Sequence, residues 1–235
     1  MQRRQFVKLG ILGTLLANVR SVLGKSQAAP LVTVDIPSPK ALRGGWAAFA
    51  AVMAARGWGQ EVYASERQWH YHDGGGNWAS LRFKAKDQMV LLGHDHEYSD
   101  TYYGAAAQYF DEPETDLLRG APAWWGFDLD PLPFDWIGFV YGWDGACWQR
   151  AQYDKDDGFT GVNLLRACSI NELDLLREFC LDAPGLNGQP PSDEALKALV
   201  AADANLSQEL LEAVIPGWDL DAGIAAAAKF LQARV

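Results

Sequence analysis

All four histidines of the chain fall in two His-x-His pairs, His70/His72 and His94/His96. Imidazole is a common transition-metal ligand, and it exchanges protons near neutral pH. In an extended strand, residues i and i+2 project to the same side, so each pair presents two imidazoles together. Four of them around one ion would suit zinc, copper, iron or nickel rather than magnesium or calcium. The spacing therefore predicts a single transition-metal site, provided that the two pairs meet.

The elements that must bring them together are three strands. Residues 67–72, 77–84 and 88–96 are aromatic and strand-like, joined by Asp73-Gly74-Gly75-Gly76 and by Lys86-Asp87. Such short links predict an antiparallel meander. A four-residue link pairs His72 with Asn77 and His70 with Ala79, and a two-residue turn pairs Ala79 with His94 and Asn77 with His96. All four imidazoles then share one face, in two rows about 9.6 Å apart across small Ala79. Leu81, Phe83, Val90 and Leu92 lie on that same face, while Ser80, Arg82 and Lys84 point away. A slip of one residue would carry a pair to the other side. The pattern differs from the His-x-His-x-Asp-His of metallo-β-lactamase-like hydrolases, because Glu97-Tyr98-Ser99 follows His96.

A second candidate is aromatic. In this register Trp69, Tyr71 and Trp78 fall opposite the histidines, and Tyr141 pairs across from Trp148 in a hairpin turning at Asp144-Gly145. If exposed, these five rings would form a flat platform for a sugar or a peptide; if buried, they fill core. No Gly-x-Ser-x-Gly elbow and no His-Glu-x-x-His helix is present. Gly74–Gly76 leads into a strand rather than a helix, which argues against a phosphate cradle. Cys147, Cys168 and Cys180 are too few and too scattered for a disulfide framework. At least one of these thiols should be buried and inert.

The N-terminus reads Gln2-Arg3-Arg4-Gln5-Phe6-Val7-Lys8, then a mildly apolar run over 9–19, then Ser26-Gln27-Ala28. A charged start, a short apolar stretch and small residues before a cut are the parts of an export signal. Arg3, Arg4, Phe6 and Lys8 resemble the twin-arginine class of bacterial signal peptides, with Gln2 in place of Ser or Thr and Val7 in place of Leu. The resemblance covers residues 1–28 alone. It implies handling by the twin-arginine translocase, cleavage near Ala28, and a folded product in the periplasm or the external medium. An eleven-residue apolar run is too short to span a bilayer, so no stable membrane insertion of the mature form is expected.

Losing residues 1–28 removes five basic residues and no acidic one, which takes the formal charge from −10 to −15. So acidic a body repels nucleic acid and anionic lipid, and nucleic-acid binding is excluded on that ground. Residues 29–235 suffice for one sizeable α+β domain. Its strand-rich aromatic part spans 61–153 and its helical part 164–235. A helix is expected over 46–56, another after the Ser169–Glu172 capping box, another after Ser192, and a last one over 219–234. The sheet should be mostly antiparallel, a meander plus a hairpin, with helices at both ends.

Two functions follow. The first is an exported protein that binds a protein, small-molecule or glycan partner through an aromatic surface, in the manner of an inhibitor or immunity protein. The second is a metalloprotein or metal-dependent enzyme with His70, His72, His94 and His96 as ligands.

Overall fold

A computed structural model describes residues 29–126 and 136–232. The segment that resembles an export signal lies outside the described residues. The fold is α+β, with one seven-stranded antiparallel sheet in the order β1-β7-β6-β5-β4-β3-β2. The strands are β1 (Leu31–Val34), β2 (Val62–Ala64), β3 (Gln68–His72), β4 (Trp78–Ala85), β5 (Gln88–His94), β6 (Phe139–Trp143) and β7 (Trp148–Ala151). Helix α1 (Pro39–Ala55) precedes most of the sheet, and α2 (Ala105–Phe110) interrupts it. The chain closes with α3 (Leu164–Cys168), α4 (Asp174–Cys180), α5 (Asp193–Ala201), α6 (Gln208–Glu212) and α7 (Leu220–Ala228). Among the described residues, no helix is long and apolar enough to cross a membrane.

Helix α1 sets the topology. Ser38 caps it by accepting from the Ala41 N–H at 3.2 Å, and Pro39 supplies the preset φ that suits a first turn. Seventeen residues at 1.5 Å each make about 25 Å. Six inter-strand gaps of about 4.8 Å make roughly 29 Å, so the helix, with the linking residues 35–38 and 56–61, carries the chain from one sheet edge to the other. The meander β2 to β7 then returns, and β7 pairs with β1. The helix is buried on nearly every side, because the sheet lies beneath it and the C-terminal helices lie above. Gly44 and Gly45 permit this: a Cβ on either would overlap the carbonyl oxygen of Val200 or Cys168.

The sheet is buried on both faces. Trp69, Tyr71, Leu81, Leu91, Phe139 and Trp148 belong to the main core with α1. Trp78, Val90, Leu92 and Val140 form a second core with Leu117, Trp125 and Ile137. Gly142 makes room for it, since a Cβ there would overlap the Trp125 ring.

Both expected registers are off by one residue. The glycine link is five residues long, 73–77, and pairs His72 with Trp78 and His70 with Ser80. Asp73 holds it closed: its N–H donates to the Asn77 carbonyl at 3.1 Å, and its carboxylate accepts from Gly75 and Asn77. The Lys86-Asp87 turn has two residues as expected, with Ala85 opposite Gln88. An irregularity between Phe83 and Ala85 then shifts the register, so His94 faces Trp78 and Leu92 faces Ser80. In the hairpin, Trp148 pairs with Trp143 and Tyr141 with Arg150.

Candidate functional site

Two odd shifts cancel in parity, so His70, His72 and His94 still share a face of the sheet. That face is the one with Ser80, Val90 and Leu92; Leu81 and Phe83 lie on the other with α1. His94 lies across from His72 instead of His70, and the residue directly between them is Trp78 in place of the small Ala79 expected beside His94. Trp78 fills the space over which the rows would have met, and its ring stacks on His70 with centroids 6.3 Å apart.

Three of the four imidazoles have local hydrogen-bond partners instead. His70 Nδ1 lies 2.7 Å from the Ser80 hydroxyl, and its ring packs against Tyr63. Burial above all, then the charges of His72 and Arg82, lowers its pKa to about 4, so it is neutral at pH 7. His72 Nδ1 accepts the Gly74 N–H at 2.9 Å and lies 3.1 Å from a Glu61 carboxylate oxygen. His96 follows the end of β5, exposed, with Nδ1 2.9 Å from the Asn77 side-chain oxygen. His94 Nδ1 is buried without a hydrogen-bond partner, and burial lowers the pKa of this ring also. Among the described residues, no group of three or more His, Cys, Asp or Glu side chains is placed to hold a metal ion.

The structure does not expose the five rings expected as a platform. Trp69, Tyr71, Trp78, Tyr141 and Trp148 are all buried, because both faces of the sheet are covered and rings of this size are its main filling. Trp78 also shares the histidine face instead of lying opposite it.

An exposed aromatic cluster lies elsewhere, at the end of the sheet where β5 leaves and β6 enters. His94 meets Trp136 edge to face at 6.0 Å. Phe110 lies 4.4 Å and Tyr109 5.3 Å from Trp136, and Tyr102 lies 5.5 Å from Phe110. Tyr109 is 74% exposed and Phe110 43%. The adjacent Tyr109-Phe110 pair at the end of α2 is a mark of the cluster in the sequence, although adjacency alone does not fix its exposure. Trp136, which completes it, carries no such signal.

A buried acidic anchor holds this end in place. Asp157 accepts the Tyr141 and Tyr153 hydroxyls at 2.6 and 2.7 Å on one carboxylate oxygen. Burial first, then the Asp157 charge, pushes both phenols above their ordinary range. The Asp157 carbonyl accepts the Ser99 hydroxyl at 2.9 Å, and the Asp100 N–H donates to Asp156 at 2.8 Å. Asp95, fully buried, accepts the Glu97 and Tyr98 N–H groups on one oxygen. Its other oxygen packs against Gly161, where a Cβ would overlap it. These bonds tie the loop carrying Tyr102 to the segment after β7.

The chain matches no protein-family model, no curated protein and no solved structure.

Proposed function

We propose that this chain is an exported binding protein that holds a protein partner on the aromatic cluster around Trp136, as an inhibitor or immunity protein does. The carrying observation is that Tyr109 and Phe110 stand exposed yet packed on Trp136. Rings braced in this way lose little side-chain entropy on docking, and aromatic residues dominate the energetics of protein interfaces. Export is supported by Arg3, Arg4, Phe6 and Lys8 and the apolar run after them.

The test uses the mature chain immobilised against the exported fraction of its native host. The reading expects one partner retained at stoichiometric intensity. Tyr109→Ala/Phe110→Ala should weaken that partner by about 10- to 100-fold while the variant keeps its native circular dichroism, at a modestly lower melting temperature because Phe110 also packs on Trp136. Undiminished capture by the double variant would remove the aromatic face from the account. Export is tested separately: Arg3→Lys/Arg4→Lys should leave the uncleaved protein inside the cell.

A further inference from the structure

We propose that the partner presents lysine or arginine side chains to this face, so that the fitting occupant is a basic protein segment. The inference rests on the binding reading above and names the chemistry of its partner. Residues 97–116, which supply Tyr102, Tyr109 and Phe110, and residues 154–156, bonded to them at Asp100, carry eight exposed carboxylates against one ammonium. Asp111 and Glu112 directly follow Phe110, while Asp100 and Asp156 are joined through their backbones beside Tyr102.

The one ammonium shows what the face does with a cation. Lys155 Nζ lies 5.4 Å from the Tyr102 ring centroid, over the same ring that touches Phe110. An aromatic face attracts a cation through its quadrupole, and nearby carboxylates strengthen the local negative potential. A second lysine or arginine placed over Tyr109, Phe110 or Trp136 would find the same combination. An acidic partner would meet repulsion from these carboxylates. The carboxylates would also speed encounter with a basic surface, an effect that falls as salt rises.

The experiment titrates the isotope-labelled mature chain with a decapeptide alternating Gly with Lys and Arg, and separately with its Gly/Glu counterpart, at physiological salt. Amide and indole shifts are followed by NMR. Two triple variants lose the same charge: Asp100→Asn/Asp111→Asn/Glu112→Gln at the face, and Glu194→Gln/Glu212→Gln/Asp221→Asn on the distant helices. The basic peptide should shift residues 98–112, 154–156 and the Trp136 indole, and the acidic peptide should shift none of them. The face variant should bind the basic peptide about tenfold more weakly, with the distant variant within twofold of the parent.

Equal weakening in both variants, or shifts spread over the whole surface, would reduce the effect to general attraction by an acidic protein and overturn the inference. The captured partner separates this from the reading beneath it. If Tyr109→Ala/Phe110→Ala loses that partner while the face-neutralised variant keeps it at full affinity, the aromatic surface stands and the cationic chemistry falls. If both variants keep it, both fall.

Discussion

Acidification from about pH 7.5 to about pH 4 should cost this protein the equivalent of one buried, unprotonated imidazole. The imidazole is that of His70, enclosed by Tyr63, Trp78 and Ser80. Its pKa falls from the ordinary 6.5 to about 4, chiefly through burial. In the unfolded chain it keeps the ordinary value. Above about 6.5 neither state binds the proton, and the stability from this group is intact. Between about 6.5 and about 4 only the unfolded state binds it, so stability falls with falling pH by about 1.4 kcal/mol per pH unit. Below about 4 both states bind it and the loss is complete, at about 3 kcal/mol. That is a large part of the 5–15 kcal/mol typical of a domain. Urea unfolding followed by tryptophan fluorescence at several pH values measures it. The comparison is His70→Asn, which keeps a polar atom near Ser80 and cannot be protonated in this range. The variant should be the less stable at about pH 7.5, and the gap should close by about 3 kcal/mol by about pH 4. A gap that stays constant across this range would refute the assignment, as would an NMR titration placing the His70 midpoint near 6.5.

Three further outcomes follow from packing and hydrogen bonding. Gly142→Ala should cost about 1–3 kcal/mol by driving a Cβ into the Trp125 ring, and in a Trp125→Ala background the same change should be nearly neutral in denaturant unfolding. Tyr141→Phe and Tyr153→Phe each remove one of the two hydroxyls on a single Asp157 oxygen. Their double variant should lose more stability than the sum of the singles, by at least about 0.5 kcal/mol, because the last donor to a buried carboxylate oxygen is the costliest to remove. Ellman's reagent should titrate one thiol quickly in the native protein and three in urea. Cys168 and Cys180 are buried, and burial raises both thiols, Cys180 to about 12, whereas Cys147 is partly exposed.

The fold class was legible because it rests on long, strongly patterned segments. Antiparallel strands around short links and a helical last third follow from periodicity and turn residues. The losses were local. The Asp73–Asn77 bonds lengthen a glycine link that composition alone reads as four residues, and the shift after Phe83 has no marker in its sequence. Gly44 and Gly45 weaken the helix signal ahead of Trp46, so the first two turns of α1 were missed; they are glycines because Cys168 and Val200 press against them. The Ser169–Glu172 box, expected to open a helix, closes a turn ahead of α4. The three-residue β2 and four-residue β1 are too short to show a period. At the site, spacing puts all four histidines on one face and the paired strands keep three of them there, but only register decides that an indole stands between them. Exposure of Tyr109 and Phe110 depends on tertiary packing, which a pattern of residue types does not carry.

The pairing of β1 with β7 has a consequence for assembly. Leu31–Val34 must wait for a partner more than a hundred residues downstream, so the opening strand docks only after the meander has been made. Until then the backbone of Trp148–Ala151 is an open seam, able to accept a strand from a neighbouring molecule. A version shortened by residues 29–34 would keep its helices and meander yet leave that seam unsealed. Edge-to-edge dimers, with β7 of one molecule pairing β7 of another and formed in proportion to concentration, are what such a molecule should yield.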